Sequence, residues 1–177
     1  MDFFDVMEAR RSVRSYRSDP VPEASLNRIL EAARMAPSAS NRMPWRLVVV
    51  TEREALKAVG ESGIYGKFLA HTPMAIVGLG DAKAAPKWHV VDTTIALEHV
   101  VLAATAEGLG TCWIGSFDEE RVCQLLGVPE SYRVIGIIAV GTEKRGLDIQ
   151  GAAARLIRPR KRMDELVARE RFEGGRE

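Results

Sequence analysis

The sequence predicts an α+β or three-layer arrangement around a mixed sheet of four to five strands. Three observations carry this expectation. Apolar runs of strand length occur at residues 45–51, 74–79, 111–114 and 133–140, segments of helical periodicity separate them, and the longest helical stretch, about 90–107, is apolar around most of its circumference. At 177 residues the chain fits one domain, 1–177, able to bury roughly 70% of its unfolded surface.

Residues 2–10 read as a short helix with Phe3, Val6 and Met7 on one side and Asp2, Asp5 and Glu8 on the other. Asp19-Pro20-Val21-Pro22-Glu23 opens a second helix, because proline suits a first turn whose N–H has no partner. Leu26, Ile29, Leu30 and Ala33 continue it at helical spacing to an end before Pro37. Pro37-Ser38-Ala39-Ser40-Asn41-Arg42-Met43-Pro44 is a loop of turn-forming residues, and Trp45 begins the first strand. Residues 53–60 and about 65–70 are expected to be helical, and 74–79 suit a buried strand closed by Gly78 and Gly80. Gly108-Leu109-Gly110 ends the long helix before the strand at 111–114. Ser116-Phe117-Asp118-Glu119 has capping-box spacing and is expected to open a helix to about Leu126. A last strand spans 133–140, and a terminal helix at about 163–171 would be anchored by Leu166 and Val167.

Composition excludes several classes of function. The hydrophobic share of 46% and charged share of 28% are those of a globular protein, and a formal net charge of +1 argues against general nucleic-acid binding. Acidic residues in Met1-Asp2-Phe3-Phe4-Asp5, where a signal peptide carries basic ones, and the lack of an uncharged apolar run of about 18 residues predict a cytoplasmic protein that neither enters nor crosses a membrane. Cys112 and Cys123 show no C-x-x-C spacing, and His71, His89 and His99 are scattered, so no metal site is expected. Cys112 is read as a small core residue, and Trp45 and Trp113 as packed strand aromatics.

Arg10-Arg11-Ser12-Val13-Arg14 is the most informative stretch, with three guanidinium groups and a hydroxyl in five residues after a short helix. Guanidinium forks match phosphate oxygens, each charge-assisted bond contributing roughly 1.5–3 kcal/mol. The competing reading is a solvated basic face at a helix end. A second cluster, Arg155, Arg158, Arg160, Lys161 and Arg162, concentrates charge at the other end of a nearly neutral chain. No G-x-G-x-x-G follows a strand and no G-x-x-x-x-G-K-[ST] is present, so phosphate would be held by side chains.

Four segments together, Arg10-Arg11-Ser12-Val13-Arg14, Ala36-Pro37-Ser38-Ala39-Ser40-Asn41-Arg42-Met43-Pro44-Trp45, Gly108-Leu109-Gly110-Thr111-Cys112-Trp113-Ile114-Gly115 and Arg158-Pro159-Arg160-Lys161, resemble the short members of the nitroreductase family. The resemblance implies a dimeric three-layer α/β/α fold with a mixed, mainly antiparallel sheet. It also implies FMN as cofactor, NADH or NADPH as co-substrate, a homodimer with flavin sites at its interface, and a small-molecule electron acceptor. Carried over, Arg10, Arg11 and Ser12 would bind the phosphate and ribityl chain, with Arg158 and Arg160 approaching the phosphate from the far end of the sequence. Arg14 would face the N1 and O2 edge of the ring, where a cation stabilises the reduced flavin. Pro37, Ser38, Ala39, Ser40 and Asn41 would reach the partner's flavin, and Ile114, Gly115 and Ser116 would lie against the ring. No side-chain acid or base is required, so no catalytic residue is assigned.

Three departures from the family pattern stand out. Met43 replaces a frequent Gln, Gly141-Thr142-Glu143 replaces a Gly-aromatic-Pro, and the region between Thr72 and His89 is short, leaving Tyr65, Phe68 or Trp88 as candidate pocket walls. The leading expectation is ping-pong hydride transfer to a nitroaromatic, quinone or similar electron-poor acceptor. Its alternatives are a flavin-binding sensor or carrier without turnover, and a specialised branch performing dehalogenation or flavin cleavage.

Overall fold

Two neighbouring strands are buried on both faces, and the remaining elements are placed by what covers them. The computed structural model describes residues 2–144 and 160–171, which belong to two units, Met1–Gly146 and Leu147–Glu177. In the first unit the order is α1 (Phe3–Ala9), α2 (Glu23–Arg34), β1 (Trp45–Val50), α3 (Arg53–Gly60), β2 (Met74–Asp81), α4 (His89–Ala106), β3 (Gly110–Ile114), α5 (Glu119–Leu126) and β4 (Tyr132–Gly141). Short 3₁₀ turns lie at Ala39–Asn41 and Lys67–His71. In the second unit a single helical turn, Met163–Leu166, is described.

The strand order is β1-β2-β4-β3, and each neighbouring pair is antiparallel. The sheet is therefore not mixed, and the only parallel pairing among the described residues is an isolated bridge between Ser12 and Thr111. A strand, long helix, strand pattern at β2-α4-β3 reads as a parallel crossover. It is one, since β2 and β3 run the same way, but β4 inserts between them and converts a parallel contact into two antiparallel ones.

Alternation along β2 and β4 sends side chains to two cores, as the period of a strand requires. Met74, Ile76, Ile138 and Val140 face α2 and α4, where they meet Ile29, Leu97 and Val100. Ala75, Val77, Ile137 and Ala139 face the opposite way, toward Leu56, Val59 and Val122 of α3 and α5. This is the expected three-layer α/β/α arrangement. Cys112 and Trp45 are buried, as expected of core residues, and Trp113 packs against the α2 and α4 layer.

Local expectations fail where tertiary partners override them. Asp118, not Ser116, caps α5, its carboxylate accepting from the Arg121 N–H at 3.1 Å. Glu119 is thereby freed from the capping box and clamps β4, accepting from Arg133 Nε and Nη2 at 2.6 Å each and from Val134 N at 3.0 Å. The Arg133 bond, aided by Val134 N–H and opposed by burial, holds the Glu119 carboxyl below the usual range. Its contribution to stability is therefore present above that range and lost as pH falls through the depressed pKa. Glu119→Gln is expected to cost about 1 kcal/mol at neutral pH. In urea titrations the gap between native and variant midpoints should close in acid; a constant gap would remove the charge from the account.

The terminal helix is shorter than expected, because Leu166 and Val167 are exposed and find no core among the described residues. On α1 only Val6 turns inward, while Phe3 and Phe4 remain 64% and 75% exposed. Among the described residues no helix is long and apolar enough to cross a membrane, and no group of His, Cys, Asp or Glu could hold a metal.

Candidate functional site

The chain leaves α1 at Arg10 in an extended conformation, φ −59° and ψ 128°. It then runs along the start of β3 and the end of β4. Val13 N–H donates to the Thr111 carbonyl at 2.7 Å, Arg17 N–H to Thr142 at 2.8 Å, and Lys144 N–H to Ser15 at 3.0 Å. Val13 and Tyr16 are buried, whereas Arg11, Arg14 and Arg17 are exposed. The segment is thus bolted down by its apolar residues and presents its cations outward. Glycine at 110 permits the close approach, since a Cβ there would lie 2.8 Å from Val13 Cγ2.

Tyr16 completes the anchor by donating its hydroxyl to the Val13 carbonyl at 2.6 Å. Burial, and after it the Cys112 thiol, push the phenol up, with Arg14 opposing them, so it stays a protonated donor. Between the end of α1, the turn after α4 and the start of β3 lies a cavity of about 170 Å³, lined by Arg10, Arg11, Thr105, Gly108, Thr111 and Glu143 among others. Arg11 pairs with Glu143. That partner was missed in the sequence because it lies 132 positions away. Among the described residues neither Arg10 nor Arg14 has a carboxylate within ion-pair distance; Glu98 feels Arg10 only at longer range, where the cation opposes the rise that desolvation imposes on its carboxyl.

At the far end of β3, Ile114 is buried while Gly115 and Ser116 are exposed. Strand rise places Gly115 about 13 Å from Thr111. The 115–118 segment is held by Asp118 N–H, which donates to the Ser62 carbonyl at 2.7 Å. Here the fold itself does not demand glycine at 115, because a Cβ would only touch Trp113 Nε1 at 3.6 Å.

The 37–44 loop is strained. Ser40, Asn41 and Met43 all have positive φ, at 53°, 53° and 45°, each costing on the order of 1–3 kcal/mol for a non-glycine residue. Ser38 Oγ accepts from Met43 N–H at 2.9 Å, and Ala39 N–H reaches both carboxylate oxygens of Asp92 at 3.2 Å. Ala36 and Trp45, on either side, pack with Ala96 of α4. The loop therefore sits at the start of α4, whereas the arginine cavity sits at its end. Asp92 and Thr105 are thirteen residues apart on that helix, about 20 Å along its axis.

The chain thus joins Arg10, Arg11, Ser12 and Arg14 to Ile114, Gly115 and Ser116 through β3, but leaves Pro37, Ser38, Ala39, Ser40 and Asn41 apart from them. Arg158 lies outside the described residues, and Arg160 is exposed in the second unit. Phe68 is partly buried and stacks on Tyr16 with ring centroids 6.3 Å apart. Tyr65 and Trp88 are exposed. Asp92 and Gly63 were not singled out in the sequence, and Glu143 was noted only as part of a departure from the family pattern. For Asp92 a signal existed, a carboxylate in the first turn of a largely apolar helix.

The nitroreductase family's sequence profile matches residues 7–64 and 57–142, together most of the chain. This chain belongs to the nitroreductase family. A relative from Archaeoglobus fulgidus, provisionally named NADH dehydrogenase/NAD(P)H nitroreductase, is 35% identical over 151 residues, covering 81% of this chain and 86% of its own. The chain is also similar to a 5,6-dimethylbenzimidazole synthase of Rhodospirillum rubrum, 27% identical over 164 residues, covering 75% of this chain and 77% of that protein. Among solved structures, an FMN-dependent nitroreductase from Clostridium difficile superposes with a TM-score of 0.82 at 27% identity, covering 96% of this chain and 99% of that one.

Proposed function

We propose that this nitroreductase-family chain is an FMN-dependent oxidoreductase that takes hydride from NADH or NADPH. Bound FMN would supply the redox chemistry, accepting hydride and passing it in ping-pong order to a nitroaromatic, quinone or similar electron-poor acceptor. The observation that carries the reading is the arginine segment pinned beside a cavity at one end of β3, with an exposed glycine at the other. Arg10, Arg11 and Ser12 fit the phosphate, and Arg14 fits the electron-rich edge of the ring. The separation of about 13 Å along β3 matches an extended sugar-alcohol chain with part of a fused ring. Glycine at 115, not demanded by its own fold, fits a flat group lying against the backbone.

The homodimer belongs to the same proposal. A loop about 20 Å away along α4 serves a flavin in a second copy more readily than in its own. Exposed Phe3, Phe4 and Met7 on α1, with Val90 and Val91 on α4, supply apolar surface for that contact. A cytoplasmic location is proposed from the need for a pool of NADH or NADPH.

The test is size-exclusion chromatography with absorbance detection, followed by anaerobic addition of NADH or NADPH. Flavin is expected to travel with the dimer, to leave when dilution dissociates it, and to bleach with at least one nucleotide. A protein that acquires no flavin spectrum when FMN is added would sink the reading, and bound flavin reduced by neither nucleotide would favour a sensor or carrier. The likeness to 5,6-dimethylbenzimidazole synthases favours a second reading, flavin cleavage. Mass spectrometry of reduced flavin exposed to oxygen separates cleavage from simple reoxidation.

A further inference from the structure

We infer that Asp92 is a positioning residue that holds the 37–44 loop in the shape it presents at the site. Asp92 is 3% exposed, yet nothing in its own core calls for a charge, since its neighbours Thr93, Ala96 and Leu97 are buried with it. A buried carboxylate is unfavourable without donors. Among the described residues the donor it has is the Ala39 backbone N–H, shared between Oδ1 and Oδ2 at 3.2 Å each. Its place in the first turn of α4 gives the negative charge a favourable helix end.

The contact falls where the loop most needs one. Ala39 is followed directly by two left-handed residues, Ser40 and Asn41, and Met43 is a third. Such a run persists only where surrounding bonds over-determine it. From Ala39 to Met43 the other hydrogen bonds are internal, from Asn41 N–H to the Ser38 carbonyl at 3.0 Å, from Arg42 N–H to the Ala39 carbonyl at 3.3 Å and from Met43 N–H to Ser38 Oγ, and the loop is next tied to β2 at its end, where the Pro44 carbonyl accepts from Asp81 N–H at 2.8 Å. Internal bonds shape the left-handed run but do not fix it to the body of the protein. Asp92 does, 53 positions away in sequence. The consequence for cofactor binding rests on the proposal that this loop faces a flavin.

The experiment compares Asp92→Leu with Asp92→Asn by amide hydrogen exchange in flavin-free protein and by FMN titration. The carboxamide oxygen of Asn can still accept from Ala39, so Asn should keep exchange and affinity within about threefold, whereas Leu should speed exchange at Ala39, Asn41 and Met43 and weaken FMN by about tenfold or more. Ala39→Pro, which removes the donor while leaving Asp92 intact, is the second variant should Leu not fold. The extended Ser38, at φ −148° and ψ 158°, accommodates a following proline, and Asn41 and Met43 should again exchange faster. Unchanged exchange in the Leu or Pro variant, or Asn as damaging as Leu, overturns the assignment. Native protein that binds no FMN defeats the flavin reading instead, and the exchange data still decide the role of Asp92.

Discussion

Arg10→Glu is expected to weaken FMN binding by about a hundredfold or more, through loss of a charge-assisted bond and gain of repulsion, while riboflavin binding changes by less than about threefold. Riboflavin has the same ring and ribityl chain without the phosphate, so the difference isolates the anion seat. Arg10 lines the cavity at the end of α1 and has no ion-pair partner among the described residues, whereas Arg11 is already engaged by Glu143. Reversal at position 10 therefore removes a cation that no carboxylate neutralises at contact. Arg10 also caps α1, and loss of a cation at a helix C-terminus costs about 0.3–1 kcal/mol. Thermal melts of the flavin-free variant measure that separately. Equal losses for FMN and riboflavin in fluorescence titrations would place the phosphate elsewhere.

Gly63→Ala is expected to cost about 1–3 kcal/mol of stability, the range for forcing extra volume into a packed position, and to weaken flavin binding with it. A Cβ at 63 would lie 2.1 Å from the Ser116 carbonyl oxygen and 3.1 Å from Phe117 Cα. These are backbone atoms, which cannot rotate aside as a side chain would. The Ser62 carbonyl draws the same segment inward through Asp118 N–H, so relief must come from moving Ser116 and with it Gly115. Urea denaturation reads the first effect and FMN titration the second. Native stability in the alanine variant would show that the two turns separate without cost.

Particular elements show what was legible. The helix at 53–60 was read to its ends because Leu56 and Val59 report burial at helical spacing within one short stretch. The buried strand at 74–79 was equally plain, since a strand covered on both faces is apolar at every position. The terminal helix failed for the converse reason: periodicity at Leu166 and Val167 states a preference for burial, not the presence of a partner. That Phe68 stacks on Tyr16 could not be read, because it depends on how the 3₁₀ turn sits over the sheet. The cationic half of the candidate site could be read as a motif, but its anchors, Val13 against Gly110 and Tyr16 against Val13, could not.

By itself the sequence determined the positions of the strands and of most helices, the concentration of charge at residues 10–14, and membership of the family through motifs in fixed order. These depend on neighbours within a few positions, where spacing translates directly into geometry. Only the tertiary structure decided that β4 enters between β2 and β3, that Glu143 takes Arg11, and that Asp92 holds Ala39. The contacts of Arg11 with Glu143 and of the Asp92 carboxylate with the Ala39 N–H close separations of 132 and 53 positions. Periodicity records that a residue is buried or exposed; which partner it meets is chosen by the packing of the whole chain.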